Sequence, residues 1–505
     1  MKVKQRSTCH TCRARKLGCD GKRPECTQCV FTGRKCQGYE LEWTFIQHNV
    51  LSAKLPNPVA ADDNKRKESL RKTPSTLTLD DSYAESPSRS LMSPFSGFSH
   101  PTWDDLIGLV VKSYLPEDEM PLITDSPGNS RSQICGSWVE VLPTLTGRAN
   151  HDCVLPSATK ALAVSIISRS PEQNIPSLDS TQTYYAAIRA LRKAFTTTDR
   201  PSHAELAAAI MCLSLAELMS PNAAAGLSAH IKGVGELIRA HGPEQYRSGI
   251  LHKLFIGFRP LLVIEAFRAR QPTFLALEEW ICVPFSLFAP SPMQNLLSQV
   301  AIVPSMLHQI DRFTKALCEP TPSDVTETFF SLVDVVIRLE NWEISLQSET
   351  DGPCYWPRVT DRTPTKQSSS SHDPSIWFPN ITMANVFTHL WAFRIVCLAE
   401  LEKLASSHPY LVLEAWSLPR HLRLDRIQDH ILALSKQICH SMEYLMQDEM
   451  KLFGPASTLF PLKTAYERFK LDGPRQQEHV AWCESIIRQL VAKGFHAAPI
   501  IVFGN

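Results

Sequence analysis

Long apolar runs and a secretory leader are both missing from this sequence of 505 residues. No stretch of about 18 uncharged apolar residues occurs, so we expect no transmembrane helix. Near the start of the chain, Lys2, Lys4 and Arg6 are followed by cysteine and polar residues instead of an apolar stretch, which argues against a secretory signal peptide. We therefore expect an intracellular protein whose thiols stay reduced.

Sequence motifs of common enzyme classes are also missing. The chain has no H-E-x-x-H, G-x-G-x-x-G, G-x-x-x-x-G-K-[ST] or G-x-S-x-G motif, each of which would indicate a known catalytic or nucleotide-binding site. Glu278 and Glu279 are adjacent in sequence, so their side chains face apart and make a poor acid–base pair. The sequence therefore predicts a protein that is not an enzyme.

Net charge is nearly absent at +1, but the basic residues are concentrated at one end of the chain. Residues 1–50 contain ten Lys and Arg residues against four Asp and Glu residues, whereas the remainder is mildly acidic. A basic end on a mildly acidic body predicts that this end binds a polyanion.

Cysteine is present, and its distribution is uneven. Of the 15 cysteines, six fall within residues 9–36, while the other nine lie far apart in apolar contexts that are typical of buried thiols. The six follow the pattern C-x2-C-x6-C-x6-C-x2-C-x6-C, so each half repeats the same unit. In a reduced compartment, this spacing indicates metal binding rather than disulfides.

The number of clustered cysteines predicts a binuclear zinc site. Thiolates select zinc, which takes four of them in a tetrahedron. Two separate sites would need eight cysteines, so two of the six must bridge both ions, and the repeat symmetry points to Cys9 and Cys26. The predicted ligand sets are Cys9, Cys12, Cys19 and Cys26 for one ion, and Cys26, Cys29, Cys36 and Cys9 for the other. With every position filled by thiolate, both zinc ions are structural and not catalytic.

The cysteine segment resembles the DNA-binding domain of the fungal binuclear zinc-cluster transcription factors. The resemblance rests on the six cysteines, on the basic run Arg13, Arg15 and Lys16, on Cys19-Asp20-Gly21 and on Pro24. Gly18 departs from the pattern, because the family often has Lys at this position. The resemblance implies a nuclear regulator of RNA polymerase II genes that holds two zinc ions and binds double-stranded DNA.

The basic residues of this segment are the candidate DNA contacts. The sequence predicts a first helix over roughly 12–18, and by resemblance this helix enters the major groove of DNA. The resemblance also implies that Lys16 reads the guanines of a CGG triplet and that Arg15 shares this role, since Lys and Arg commonly bind guanine. The remaining candidates are expected to contact phosphates, which position the protein without specifying a sequence: Arg13, Lys22, Arg23, Arg34 and Lys35.

Residues 41–100 are predicted to form a disordered linker, because Ser, Pro, Thr, Asp and Lys dominate much of their composition. Lys65, Arg66 and Lys67 are interpreted as either a nuclear-targeting signal or a solvated charge run. Apolar residues after the cysteine segment do not sustain the three to four heptads that a coiled coil needs. A zipper is therefore not expected, and any homodimer would form through the rest of the chain.

Residues 101–505 are predicted to be all-α. Tyr184, Ile188 and Leu191 are examples of the 3–4 spacing that recurs along this part of the chain. Segments such as Leu459-Phe460-Pro461-Leu462 resemble the fungal-specific regulatory domain that accompanies such zinc clusters. This resemblance implies a helical regulatory fold that carries no chemistry of its own.

The sequence as a whole predicts a small binuclear zinc-cluster DNA-binding domain at 5–40, a linker at 41–100 and a large all-α fungal-specific regulatory domain at 101–505. The leading interpretation is a sequence-specific transcription regulator, with a pathway or secondary-metabolite gene cluster as its target. Its expected partners are double-stranded DNA and the transcription machinery or co-regulators, and no membrane. Two alternatives remain open: an enzyme with a helical catalytic body, and an RNA- or protein-binding protein, each with an accessory structural zinc head.

Overall fold

A computed structural model of the chain separates two compact units, Met1–Ser90 and Leu91–Asn505, and each is described by itself. The residues that the structure describes are 9–15, 19–20, 22, 26–36, 102–116, 134–145, 153–169, 177–196, 201–220, 224–314, 321–350, 352–358, 374–411, 419 and 422–504. The predicted linker at 41–100 lies outside the described residues, and the predicted domain boundaries stay predictions.

The first unit is built around sulfur instead of hydrocarbon. It contains two short helices, α1 (His10–Ala14) and α2 (Thr27–Phe31), each of which begins directly after the first cysteine of its half. Helices of this length bury too little apolar surface to be stable alone. The buried core of this unit consists of four cysteines, with two further half-buried cysteines packed against them: Cys9, Cys12, Cys26, Cys29, Cys19 and Cys36.

The second unit is predominantly helical, which confirms the predicted fold class. Its α-helices are α3 (Trp103–Tyr114), α4 (Leu142–Leu145), α5 (Val154–Ile167), α6 (Ser177–Thr196), α7 (His203–Leu218), α8 (Ala224–His241), α9 (Gly249–Ala269), α10 (Glu278–Cys282), α11 (Pro292–Val300), α12 (Val303–Thr314), α13 (Pro322–Glu349), α14 (Ile381–Ser407), α15 (Leu424–His440), α16 (Met442–Leu445), α17 (Phe453–Ser457), α18 (Leu459–Leu471), α19 (Gln477–Ala492) and α20 (Ala498–Phe503). Short 3-10 helices span Cys135–Val141, Pro243–Tyr246, Phe274–Ala276, Val283–Phe285, Asp448–Met450 and Gly473–Gln476.

One feature departs from the all-α prediction for residues 101–505. Two short strands, β1 (Trp356–Arg358) and β2 (Ser375–Trp377), pair antiparallel, with Trp356 opposite Trp377. The guanidinium carbon of Arg358 lies 4.0 Å from the centroid of the Trp377 ring, so a cation–π contact joins the two strands. The body is therefore helical with one small hairpin among the described residues.

Local sequence signals fix where several helices begin and end. Thr102, Ser202 and Thr321 each cap a helix by accepting the backbone N–H of the acidic residue three positions later. Each also donates its own backbone N–H to the carboxylate of that residue, which completes a capping box. Helix α8 ends at His241, where Gly242 adopts a φ of 85° before the next residue, a proline. A positive φ is readily adopted by glycine, so this residue terminates the helix without strain.

Helix α14 is the central core helix of the second unit. It is long and apolar enough to cross a membrane by length and composition, but 89% of its apolar window is buried inside the helical body. It contacts α11, α13, α15 and α18, so its apolar surface is covered by other helices instead of being available to lipid. This burial explains why an apolar helix occurs in a chain for which no transmembrane helix is expected.

Histidine burial makes the second unit sensitive to acid. His389 on α14 is only 4% exposed, its Nδ1 donates a hydrogen bond to the backbone oxygen of Asn385, and burial lowers the pKa of His389 to about 4 from 6.5. Between these two pH values the unfolded chain binds a proton that the folded chain does not bind. The contribution of neutral His389 to the free energy of unfolding is therefore complete above pH 6.5 and is lost progressively as the pH falls below that value.

We expect the free energy of unfolding to fall by about 1.4 kcal/mol per pH unit for this histidine as the pH drops below its unfolded pKa. The measurement is urea denaturation of the wild type and of His389→Phe at pH 7 and at pH 5. The variant should lose less stability on acidification than the wild type. Equal losses in the two proteins would contradict the assignment.

Candidate metal centre and nucleic-acid interface

Backbone hydrogen bonds position the first cysteine of each half in the same way. The amide of Cys12 donates to Sγ of Cys9 at 3.3 Å, and the amide of Cys29 donates to Sγ of Cys26 at 3.3 Å. In each half the sulfur therefore accepts an N–H from the residue three positions later, in the first turn of α1 or α2. These two donors favour the thiolate form of the two sulfurs, because hydrogen bonds to an ionised acceptor are strong.

The six sulfurs form two overlapping groups of four. One group contains Cys9, Cys12, Cys19 and Cys26, the other contains Cys9, Cys26, Cys29 and Cys36, and the ligand atoms within each group all lie within 4.8 Å of one another. Cys9 and Cys26 belong to both groups, and their Sγ atoms are 3.6 Å apart. Four sulfurs at about 2.3 Å from a tetrahedral zinc would be about 3.8 Å apart, so this spacing fits the metal.

The donor set also fits a soft cation electrostatically. Burial raises the pKa of the Cys9, Cys12, Cys26 and Cys29 thiols, because the charged form loses solvation among its neighbours. A cation offsets this cost directly, since zinc binds the deprotonated sulfur. Thiolates without any oxygen ligand select zinc over harder cations such as magnesium or calcium.

Polar contacts join the two halves of the unit. The Asp20 carboxylate accepts the Thr27 amide at 3.1 Å and the Thr27 hydroxyl at 2.5 Å, and these bonds lower the pKa of Asp20. A second contact between the halves comes from the Thr11 hydroxyl, which donates to the backbone oxygen of Lys35 at 3.3 Å. The sequence identifies Asp20 only as part of the family pattern. The structure shows that its carboxylate binds Thr27, the first residue of α2.

The end of α2 is set by Gly33, which the sequence did not single out. Its φ of 62° is left-handed, its amide donates to the Val30 oxygen, and the amide of Arg34 donates to the Cys29 oxygen at 3.0 Å. This pair of bonds is a Schellman motif, which needs a left-handed residue after the helix. The motif directs the chain from α2 into the basic pair Arg34 and Lys35.

We expect Gly33→Ala to destabilise the zinc-binding first unit, called the zinc unit below, by about 1 kcal/mol, because a side chain disfavours the left-handed conformation. A Cβ at this position would meet no atom within 4 Å, so the cost is conformational and not steric. The measurement is the chelator concentration that removes half of the zinc. Gly33→Asn is the matched control and should lose less, since Asn tolerates this conformation. Equal retention of zinc by Gly33→Ala and wild type would contradict the assignment.

The structure describes some of the predicted DNA contacts. Arg15 directly follows α1 and is exposed, and Lys22, Arg34 and Lys35 are also exposed. Arg13 belongs to α1, but its side chain lies outside the described part of the chain, as do Lys16 and Arg23 entirely. The predicted first helix over 12–18 begins earlier in the structure, at His10, and the Cys12 amide in its first turn donates to the Cys9 sulfur.

Two apolar side chains on α2 were not anticipated as surface residues. Phe31 is 89% exposed and Val30 is 58% exposed in the zinc unit. They occupy the end of α2, whereas the buried Cys29 faces the cluster. Exposure of both follows from the small size of a unit whose core is formed by sulfur.

Comparison with known proteins identifies the first unit. The family model described as the fungal Zn(2)-Cys(6) binuclear cluster domain matches residues 7–42. The chain is also 53% identical over 36 residues to the aspercryptin biosynthesis cluster-specific transcription regulator atnN of Emericella nidulans, a match that covers 7% of this chain and 6% of the relative. No solved structure matches the chain. Residues 7–42 are therefore a fungal Zn(2)-Cys(6) binuclear cluster domain, which binds two zinc ions.

Proposed function

We propose that this chain is a sequence-specific DNA-binding transcription regulator of RNA polymerase II genes that acts in the nucleus. The observation that carries the proposal is the overlapping pair of four-sulfur groups in a domain bordered by exposed basic residues. The relative that shares this segment is named as a transcription regulator. Because the match covers 6% of that relative, the proposal rests on the zinc domain and not on the helical body.

Each zinc ion is assigned four thiolates, two of which are shared. One ion takes Cys9, Cys12, Cys19 and Cys26, and the other takes Cys9, Cys26, Cys29 and Cys36. When bound, the ions would supply a rigid four-coordinate centre that holds the two halves together. Because thiolate fills every position, the metal centre serves folding and leaves no open position for a substrate.

The basic residues divide into one that reads bases and others that contact phosphates. Lys16 is assigned to the guanines of a CGG triplet, with Arg15 beside it, since a donor side chain pairs well with guanine O6 and N7. The phosphate contacts are assigned to Arg13, Lys22, Arg23, Arg34 and Lys35. Arg34 and Lys35 are exposed, which is consistent with contacts to phosphates.

The remainder of the chain is assigned a regulatory role. The DNA-binding domain is assigned to residues 5–40 and the linker to residues 41–100. The helical body at 101–505 is assigned the binding of co-regulators or the transcription machinery. Any homodimer would depend on the helical body. The name of the relative supports a biosynthetic gene cluster as the regulated target.

The proposal is tested by selecting binding sites from a random duplex library with the full-length chain. We expect the recovered duplexes to share CGG triplets, and binding to be lost with a zinc chelator and restored by added zinc. A scrambled duplex of the same length and composition is the control. Recovery of no common triplet, or undiminished binding after the zinc is removed, would contradict the proposal.

A further inference from the structure

The helical body contains a cavity that is partly open to solvent and large enough for a small molecule. Its volume is about 750 Å³, and its walls come from α7, α8, α9, α14 and α18, among other elements. Small-molecule sites in proteins occupy about 300–1,000 Å³, so this cavity has the size of a ligand site and exceeds a packing defect. Protein interiors are otherwise closely packed, so a space of this volume is a distinct feature of the helical body.

Apolar side chains form most of the wall. Tyr114, Trp138, Phe267, Phe453 and Phe460 line the cavity. The Tyr114 and Phe453 rings meet edge to face with their centroids 5.7 Å apart, which fixes this part of the wall. A wall of this composition favours a ligand with a large apolar surface.

Two buried hydrogen-bond acceptors interrupt the apolar wall on α14. His389 lines the cavity and is 4% exposed, and because its Nδ1 donates to a backbone oxygen, its neutral ring leaves Nε2 as an acceptor. The hydrogen bond through Nδ1 is the one that the His389 ring makes among the described residues, so Nε2 is available to a ligand in the cavity. One helical turn earlier, Asn385 also lines the cavity and is 6% exposed, and its Oδ1 is buried without a partner in the described part of the chain.

An unpaired buried acceptor is expensive, and it indicates what a ligand would supply. For the buried Oδ1 of Asn385, the lack of a partner costs about 1–3 kcal/mol, whereas a ligand hydroxyl or N–H group would satisfy it. Because burial lowers the pKa of His389 to about 4, the ring stays neutral near pH 7 and accepts rather than donates at Nε2. The complementary group is therefore a hydrogen-bond donor and not an anion.

Charged side chains of the lining are mostly paired with each other. The pairs are Glu265 with Arg268 at 2.7 Å, Glu400 with Arg270 at 2.8 Å, and Glu467 with Lys463 at 2.7 Å. Arg268 and Glu467 are about half exposed, so these two side chains lie at the edge of the cavity toward solvent, whereas Glu265 and Glu400 are largely buried. Since every acidic group of the lining has a basic partner, the interior offers no negative charge to a cationic ligand.

We propose that this cavity is a binding site for a neutral, largely apolar small molecule whose hydroxyl or N–H group donates a hydrogen bond to His389. Asn385 supplies a second acceptor beside it. Regulation of transcription by such a ligand rests on the proposed function, whereas binding of the ligand to the cavity does not. A test of binding that contains no DNA therefore fails or succeeds separately from the DNA-binding proposal.

The test compares two probes that differ only in their donor, 2-naphthol and 2-methoxynaphthalene. Each is titrated into the full-length chain at pH 7 by isothermal calorimetry. We expect 2-naphthol to bind the wild type about tenfold more tightly, as one added hydrogen bond predicts, and His389→Phe to bind the two probes within twofold of each other. Failure of the wild type to bind 2-naphthol, equal affinities for the two probes, or a preference that survives in His389→Phe would overturn the proposal.

A second variant keeps the test valid if His389→Phe does not fold. Ala399 lies on α14 and lines the cavity, so Ala399→Trp should fill the space and reduce the binding of both probes at least tenfold. Ser406 lies on the same helix, is exposed and is not part of the lining, and Ser406→Trp should leave binding unchanged. Circular dichroism establishes that each variant is folded. Unchanged binding in folded Ala399→Trp would place the probes elsewhere and overturn the proposal.

Discussion

We expect Cys26→Ala to remove both zinc ions from the chain and to abolish DNA binding. Cys26 belongs to both four-sulfur groups, its Sγ lies 3.6 Å from the Sγ atoms of Cys9 and Cys12, and it accepts the Cys29 amide. Loss of this sulfur leaves each ion with three thiolates. Structural zinc contributes roughly 10–16 kcal/mol of apparent folding free energy in zinc-finger peptides, so the unit should not stay folded without it.

Two matched variants separate this expectation from general damage by cysteine removal. Cys19 belongs to one group only, so Cys19→Ala should retain one zinc ion per chain. Cys153 is exposed and far from the cluster in sequence, so Cys153→Ala should retain two. Zinc content is measured by native mass spectrometry. If Cys26→Ala kept one ion and Cys19→Ala lost both, the assignment of Cys26 as a shared ligand would be wrong.

We expect Lys16→Ala to lower the affinity for a CGG duplex by roughly 1–3 kcal/mol and to reduce discrimination against a scrambled duplex. The reason is that the variant no longer hydrogen-bonds a guanine, and bonds to bases differ between sequences whereas bonds to phosphates do not. Competitive binding of the full-length chain to both duplexes measures the change. Equal weakening on the two duplexes would contradict the role of Lys16 as the base reader.

Neutralising Arg34 and Lys35 is the matched control for Lys16. Both residues are exposed at the end of the zinc unit, so their replacement should weaken binding about equally on every duplex. The slope of log affinity against log salt should become shallower by about one unit for each phosphate that the variant no longer neutralises. A change in sequence preference without a change in this slope would assign these two residues to base reading instead.

The metal cluster could be predicted from the sequence because ligation demands one residue type at fixed spacing. Six cysteines repeated as C-x2-C-x6-C leave few arrangements, and the two groups in the structure overlap at Cys9 and Cys26. The residues that hold the cluster in shape were harder to anticipate. Asp20 and Gly33 act through a side-chain hydrogen bond to Thr27 and a positive φ, and neither effect has a spacing rule of its own.

The helical character of the body was also predictable, but its interior was not. Apolar spacing such as that of Tyr184, Ile188 and Leu191 predicts a helix from neighbouring residues alone. The cavity instead arises where helices distant in sequence meet, so no local pattern marks it. Likewise, the short strands around Arg358 and Trp377 depend on a contact between residues that are well separated in sequence.

Zinc binding and DNA binding should be inseparable in this chain. Native mass spectrometry of the full-length chain mixed with a CGG duplex, before and after partial chelation, tests it in one measurement. We predict that every chain bound to the duplex carries two zinc ions and that chains without zinc occur only free of DNA. Duplex-bound chains that carry one zinc ion or none would contradict the account.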